Sequence, residues 1–170
     1  MKNRHIIYLH GVNGENTKKG TLINAITPKQ TPHSPKLTLQ NIERDYLTEN
    51  TIIVGSSRGG LLSLFLSIKH QLPLIVMNPA IEQSAINKGI YGEGCDNELD
   101  EISSYVKANI HKLRTDTMLI LSKNDETIDY RNANKLINCK HKVFINESHR
   151  IANYDAIVPL INYKIEKFLK

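Results

Sequence analysis

A pentapeptide at positions 55–59 carries the clearest signature of nucleophilic chemistry in the sequence. It reads Gly55-Ser56-Ser57-Arg58-Gly59 and matches the pattern G-x-S-x-G, in which a serine occupies a sharp turn between a strand and a helix. Ser57, and not its neighbour Ser56, has the required spacing to both glycines. Five residues can match such a pattern by chance, so the flanking segments decide what the motif predicts.

Those flanking segments fit a strand, a tight turn and a helix. Thr51–Val54 is a short apolar run, and Gly60–His70 is apolar nearly all round, which predicts a buried helix. Gly55 and Gly59 leave room for a strained turn, and the N–H groups at the start of the helix would face a developing oxyanion. The context predicts that Ser57 is a nucleophile. The alternatives are a glycine-rich phosphate-binding turn and a plain strand–helix connection.

A serine hydroxyl needs a base, so one of the seven histidines should lie beside Ser57. His149 falls between the last predicted strand and the last predicted helix, at the sheet edge where open α/β folds bind ligands. His10 lies at the same edge, but the glycine after it suggests a structural role. The remaining histidines fall at the opposite edge, near helix ends or in a proline-rich loop: His5, His33, His70, His111 and His141. His149 is the predicted base.

An acid should hold the imidazole in one tautomer and stabilise its protonated form. Asp125 closely follows the predicted strand Thr117–Leu121 and is our choice. Glu126 and Asp129 are its local rivals, although Asp129 is placed to cap the next helix, and Asp116 precedes its strand. The resulting order along the chain, serine then aspartate then histidine, is that of α/β-hydrolases.

Two backbone N–H groups should form an oxyanion hole beside the serine. One is the N–H of Arg58, the residue after the nucleophile, and the other comes from the loop after the first strand. In that loop Gly11 permits a sharp turn that would present the N–H of Val12. A simple glycine turn is the alternative for this loop.

Strand and helix patterns alternate along residues 1–170, which predicts a single, doubly wound α/β domain. We expect a mostly parallel sheet of five to six strands with helices on both faces. The predicted strands are Ile6–His10, a weaker Lys36–Leu39, Thr51–Val54, Leu74–Met77, Thr117–Leu121 and Lys142–Ile145. The predicted helices are Gly60–His70, Leu99–Leu113, Tyr130–Ile137 and Asn153–Leu169. Thr27–Pro35 should be a loop. Asn87–Asn97 should be either a lid or binding loop at the site or a plain surface connection.

The composition is that of an ordinary globular protein, with 40% apolar and 23% charged residues. The basic residues behind the net charge of +5 are scattered, so nucleic acid is not an expected partner, whereas an acidic or phosphate-bearing substrate stays open. Cys95 and Cys139 lack metal-ligand spacing and suggest isolated thiols. Because the sequence shows no signal-peptide or membrane-span pattern, we expect a cytoplasmic protein. The proposed serine chemistry implies no metal or organic cofactor.

Several motifs together resemble the small YqiA/YcfP-like bacterial esterases, a family of α/β-hydrolases. The resemblance covers nearly the whole chain and implies a minimal fold that lacks the first two strands of larger relatives. It also implies esterase or thioesterase activity on short acyl groups, with Ser57 as nucleophile, Asp125 as acid and His149 as base. The motifs are His10–Asn13, Val54–Gly60, Val76–Ala80, Asn124–Tyr130 and Ser148–His149.

The sequence departs from that family pattern beside two site residues. Arg58 stands where the family has leucine, and Glu147 and Ser148 stand where glycine and asparagine are expected, followed by Arg150. The added arginines favour a carboxylate or phosphate on a small-molecule ester or thioester substrate. An amidase or peptidase using the same triad, and a non-catalytic binding module, remain the alternatives; the oligomeric state is not predicted.

Overall fold

The computed structural model describes residues 5–12, 18–82 and 92–170. Within these residues, one five-stranded parallel sheet has its strands side by side in chain order. The strands are β1 (His5–Leu9), β2 (Thr51–Ser56), β3 (Leu74–Met77), β4 (Met118–Ser122) and β5 (His141–Ile145). The helices are α1 (Lys18–Leu22), α2 (Pro35–Asp45), α3 (Arg58–His70), α4 (Glu93–Asn109), α5 (Tyr130–Leu136) and α6 (Tyr154–Phe168), with a short 3-10 turn, Ile110–Lys112, after α4.

The two faces of the sheet have separate apolar cores, because successive strand residues point to opposite faces. On one face, Ile53 and Val76 pack with apolar residues of α2, α3, α4 and α5. On the other face, Val54 and Ile75 pack with isoleucines of α6. The prediction of helices on both faces is confirmed. The five strands lie in chain order without the reversal of a doubly wound sheet; α2, α3, α4 and α5 lie on one face, and α1 and α6 lie on the other.

The weak strand predicted at Lys36–Leu39 is wrong, because these residues lie in α2. The Ser34 side chain caps this helix by accepting a hydrogen bond from the Leu37 N–H at 3.3 Å, and Pro35 occupies its first turn. The outer edge of β1 is met instead by a single bridge from Ile26, whose N–H and carbonyl pair with the β1 backbone at 2.8 Å. The sheet therefore has the lower of the two predicted strand numbers.

The proposed lid segment falls partly outside the described residues. Of Asn87–Asn97, residues 87–91 are not described, and Glu93–Asn97 form the beginning of α4, which starts six residues before the predicted Leu99. Thr27–Ser34 is a loop as predicted, ending where Pro35 starts α2. None of the helices within the described ranges is long and apolar enough to cross a membrane.

The first turn of α3 packs so closely on the end of β1 that a side chain cannot fit between them. A Cβ atom at Gly59 would lie 2.2 Å from the carbonyl oxygen of Leu9 and 2.5 Å from that of His10. Both neighbours are backbone atoms and cannot rotate away. This contact sets how near the start of α3 comes to the loop after β1.

Replacing Gly59 with alanine should therefore strain the sheet edge and lower the free energy of unfolding by about 2–4 kcal/mol. The matched control is Gly94→Ala in the first turn of α4, where an added Cβ meets nothing within 4 Å. That substitution should change stability by less than about 1 kcal/mol, because alanine favours helix formation. Urea denaturation of both variants measures the difference, and equal stabilities would contradict the packing described here.

Candidate active site

Ser57 lies on a strained turn between β2 and α3. Its backbone has φ 56° and ψ −124°, a conformation that non-glycine residues rarely adopt. The Ser57 N–H donates to the Met77 carbonyl and the Ser57 carbonyl accepts from the Ala80 N–H, both at 3.0 Å. At Gly55 a Cβ atom would lie 2.1 Å from Ser63 Oγ, and at Gly11 it would lie 2.9 Å from Ser57 Cβ. The turn thus depends on glycine at both neighbouring positions.

The structure brings the predicted serine, histidine and aspartate into one hydrogen-bonded chain. Ser57 Oγ lies 2.8 Å from His149 Nε2, and His149 Nδ1 lies 2.7 Å from Asp125 Oδ2. The Asp125 side chain is 1% exposed and that of His149 is 13% exposed. Because a carboxylate accepts the Nδ1–H, Nε2 is left to accept the proton of the serine hydroxyl.

Asp125 is held in place by the loop that follows β4. Its second oxygen, Oδ1, accepts hydrogen bonds from the N–H groups of Thr127 at 2.8 Å and Ile128 at 2.7 Å. The rival acids have other partners. Glu126 accepts a bond from the His149 backbone N–H at 3.0 Å, which lowers the pKa of Glu126, and Asp129 caps α5.

Asn78, which the sequence marks only as part of a family motif, connects the end of β4, the strand before Asp125, with the loop that carries the histidine. It is 1% exposed and follows β3 with φ 40°. Its Oδ1 accepts from the Ser122 N–H at 2.8 Å, and its Nδ2 donates to the His149 carbonyl at 3.2 Å. One buried amide therefore fixes the ends of β3 and β4 and the histidine loop relative to one another.

The serine and histidine open into a cleft of about 260 Å³ that Val12 and Lys19 also line. Arg58 contributes its backbone at the N-terminus of α3, next to Ser57. Its side chain is directed elsewhere: the residue is 4% exposed and its guanidinium donates to the Pro32 carbonyl at 2.7 Å. This guanidinium is therefore not among the groups that line the described part of the cleft, contrary to the predicted contact of Arg58 with an anionic substrate, whereas Arg150 does line it.

Two buried polar side chains of the cleft were missed by sequence reasoning. Burial lowers the pKa of Lys19 to about 8, and its ammonium donates to the carbonyl of Arg150. Burial raises the pKa of Tyr8 to about 12, although a hydrogen bond with Ser56 acts in the opposite direction. Lys19 lies in a helix of five residues, too short for the sequence to show a periodicity that could have pointed to it.

Metal-ligating and thiol groups do not gather at this cleft. In the part of the chain that the structure describes, no group of three or more His, Cys, Asp or Glu side chains could hold a metal ion. Cys95 and Cys139 are free cysteines, and burial raises the pKa of both thiols. A separate cavity of about 480 Å³ between α4 and α5 is lined by Ile128 but includes neither Ser57 nor His149.

The sequence from residue 5 to residue 164 matches the model of a family described as uncharacterised protein family UPF0227. The chain belongs to this family. UPF0227 comprises the YqiA/YcfP-like proteins, so the resemblance inferred from the motifs is confirmed. A comparison with curated protein sequences gives no match.

Solved structures similar to this UPF0227 member are α/β-hydrolases, which confirms the predicted fold. Est1E from Butyrivibrio proteoclasticus has a TM-score of 0.76 and 14% identity, covering 99% of this chain and 91% of its own. The esterase domain of a Rhodothermus marinus protein has a TM-score of 0.71 and 13% identity, covering 98% of this chain and 89% of its own. A monoacylglycerol lipase from Paleococcus ferrophilus has a TM-score of 0.66 and 14% identity, and the match covers 94% of each chain.

Removal of the Asn78 side chain should destabilise the UPF0227 protein at its site edge. We expect Asn78→Gly to lower the free energy of unfolding by about 1–3 kcal/mol, because the buried Ser122 N–H loses its acceptor. Asn78→Ala removes the same bonds but adds a Cβ at positive φ, so it should cost about 1 kcal/mol more. Urea denaturation compares the two. If Asn78→Gly is as stable as the parent protein, the amide does not hold the loops together.

Proposed function

We propose that the protein is a serine hydrolase that cleaves small carboxylic esters or thioesters through an acyl-enzyme. Ser57 is the nucleophile, His149 the general base and Asp125 the acid that orients it. The observation that carries the proposal is the continuous hydrogen-bonded chain from Ser57 Oγ through the imidazole to a buried carboxylate. Proteins of the same fold bear the names of esterases and a lipase, which agrees with this reaction class.

The geometry supports a two-stage reaction. Ser57 Oγ attacks the acyl carbonyl carbon while its proton passes to His149 Nε2. The Nδ1–H bond to Asp125 stabilises the imidazolium that forms, and Nε2–H then protonates the leaving alcohol or thiol. In the second stage His149 accepts a proton from water as the water attacks the acyl-Ser57 carbonyl. The bond between the acyl carbon and Ser57 Oγ then breaks, His149 Nε2–H returns the proton to Oγ, and the carboxylic acid is released. Asp125 keeps its position throughout, because backbone N–H groups hold its other oxygen.

The N–H groups of Arg58 and Val12 are the proposed donors to the oxyanion. Arg58 follows the nucleophile at the N-terminus of α3, where the helix dipole also favours negative charge. The loop that contains Val12 approaches Ser57 closely, since a Cβ at Gly11 would lie 2.9 Å from Ser57 Cβ, and Val12 lines the same cleft. The Arg58 N–H belongs to the buried first turn of α3, which supplies the preorganisation that this kind of stabilisation needs.

The size of the cleft favours a small substrate. Its volume of about 260 Å³, as formed by the described residues, is below the ~300–1,000 Å³ that is usual for pockets holding drug-sized ligands. A short acyl group or a small leaving group fits such a space better than an extended peptide. This is the reason for placing ester and thioester hydrolysis ahead of peptide hydrolysis, which the same triad could perform.

Labelling with a fluorophosphonate tests the proposal, because this reagent forms a stable adduct only with an activated serine. We expect stoichiometric labelling of the parent protein, and its loss in Ser57→Ala and His149→Ala. The neighbouring serine provides the matched control: Ser56→Ala should still be labelled. A folded parent protein that is not labelled would contradict the proposal and favour a binding module.

The choice of acid is tested by a pair of conservative substitutions. Asp125→Asn should lower kcat for a 4-nitrophenyl ester by roughly 10⁴-fold, because the amide favours the wrong imidazole tautomer. Asp129→Asn removes an equally local carboxylate, one that caps α5 and pairs with Arg131 at 2.8 Å, and should retain most of the activity. Equal losses in the two variants would show that Asp125 has no special role. Acyl-CoA thioesters and anilides assayed alongside would separate thioesterase and amidase activity.

A further inference from the structure

The cleft beside Ser57 has a positive lining. Among the described residues that line it are the basic side chains of Lys19 and Arg150, and none of them is Asp or Glu. The guanidinium of Arg58 is bonded to the Pro32 carbonyl outside the cleft. Of the two arginines that the sequence favoured, Arg150 lines the cleft, and Lys19 adds a positive charge that the sequence did not predict.

Lys19 is the more deeply placed of these two cations. It lies in α1 and is 9% exposed, whereas Arg150 is exposed. Its Nζ donates to the main-chain carbonyl of Arg150 and lies 5.9 Å from the centre of the Tyr154 ring. Burying an ammonium is unfavourable unless an anion or hydrogen bonds compensate it. No Asp or Glu of the described ranges makes an ion pair with Lys19, and burial lowers its pKa.

We propose that Lys19 is a specificity-determining residue whose ammonium binds a carboxylate group of the substrate, so that the enzyme prefers anionic esters to neutral esters of the same size. This inference rests on the proposed hydrolase function and adds the substrate class to it. An ammonium has three N–H donors, and the Arg150 carbonyl takes one of them. A carboxylate can accept from the others and supplies the charge that the cleft lacks.

A purely structural role for Lys19 is the competing explanation. The bond to the Arg150 carbonyl also supports the segment next to His149, so losing it could disturb the base. Such a disturbance would slow the reaction of every ester alike. A carboxylate-binding role changes the ratio between anionic and neutral substrates, and this ratio is therefore the quantity to measure.

Two matched ester pairs place the charge on either side of the scissile bond. In the first pair, the mono-4-nitrophenyl ester of adipic acid carries a carboxylate in its acyl group, and 4-nitrophenyl hexanoate is the neutral counterpart. The compound 4-acetoxybenzoate against its methyl ester puts the carboxylate in the leaving group. For at least one pair, the ratio of kcat/KM for the anionic over the neutral ester should fall roughly tenfold in Lys19→Met, with the change mainly in KM.

Two further variants identify the charge as the cause. Lys19→Arg keeps a cation and should retain part of the preference, although its shape differs. Lys18→Met removes a positive charge one residue away, at an exposed side chain that lies 5.0 Å from the centre of the Tyr154 ring, and should leave the ratio unchanged. A ratio that falls equally in Lys18→Met and Lys19→Met would overturn the assignment to Lys19.

The parent protein offers a test without any substitution. The groups that face Lys19 are Tyr8 from β1, His10 after it, Tyr154 from α6, and His149 and Arg150 from the loop before α6. Lys19 with a pKa of about 8 is charged below that pH and neutral above it. The anionic-to-neutral ratio should therefore fall between about pH 7 and about pH 9 in the parent protein and stay nearly constant in Lys19→Arg, since arginine keeps its charge. A fall that persists in Lys19→Arg would assign the effect to one of the other groups.

Binding without turnover separates this inference from the proposed function. Calorimetry with Ser57→Ala uses two amides that mimic the second ester pair, 4-acetamidobenzoate and its methyl ester. The carboxylate should bind roughly tenfold tighter than the methyl ester in Ser57→Ala and lose this advantage in the Ser57→Ala/Lys19→Met double variant. Lys19-dependent preference without turnover by the parent protein would refute the hydrolase and leave the anion site. Turnover with equal ratios in the parent protein and Lys19→Met, for both pairs, would refute the anion site and leave the hydrolase.

Discussion

The backbone strain at Ser57 is the constraint around which the site is built. A serine with φ 56° and ψ −124° costs on the order of 1–3 kcal/mol, and it persists only where the surroundings leave no alternative. The hydrogen bonds to Met77 and Ala80 fix the N–H and the carbonyl of Ser57 at the end of β3. A long buried helix begins directly after it, and its apolar packing stabilises the turn. Relaxing the turn would move α3 off the sheet.

Asp125 and His149 are carried by loops that follow the last two strands of the sheet. Asp125 and His149 follow β4 and β5, which are one and two strands beyond β3, and parallel strands bring such loops to the same edge. Strand order alone does not set distances of 2.7 and 2.8 Å. Asn78 does part of that, since one side chain reaches both the end of β4 and the histidine loop. The geometry of the hydrogen-bonded chain from Ser57 through His149 to Asp125 therefore depends on a residue outside that chain.

Burial shifts the pKa values of two polar side chains in the cleft, Lys19 and Tyr8. A lysine placed there without a described carboxylate partner has a pKa near neutrality, and a buried tyrosine has a raised one. Both effects follow from the unfavourable transfer of charge out of water. Burial therefore disfavours the charged form of Lys19 in the folded protein and lowers the free energy of unfolding. This penalty is fully present below about pH 8 and is relieved as the pH rises from there toward the pKa of lysine in the unfolded chain. An anion bound beside it would offset this penalty.

The parts of this structure that the sequence could predict are those with strong local patterns. Short apolar runs revealed the five strands, and the motif between a strand and a helix revealed the position of Ser57. The position of Asp125 and His149 after strands followed from the same reasoning. The segment Lys36–Leu39 resembles a strand because its four residues alternate between polar and apolar, while Ser34 and Pro35, which start α2, resemble the end of the proline-rich loop. A helix cap followed by apolar residues at 38, 39 and 42 was the available signal.

Side-chain direction was beyond the reach of sequence reasoning. Arg58 follows Ser57, and a hydrogen bond to the Pro32 carbonyl directs its guanidinium away from the cleft. Lys19 is distant from the triad in sequence and enters the cleft because α1 packs near α6. Asn78 could be recognised as part of a motif, but its two long-range hydrogen bonds depend on the order of the strands. Such contacts are tertiary and leave no local pattern.

Trapping the acyl-enzyme tests the central claim most directly. The protein is mixed with a slowly hydrolysed ester, quenched in acid during turnover, and examined by intact-mass spectrometry and peptide mapping. The account predicts a mass increase equal to one acyl group, located on Ser57. Hydrolysis without any acylated protein, or an acyl group found on a different residue, would contradict it.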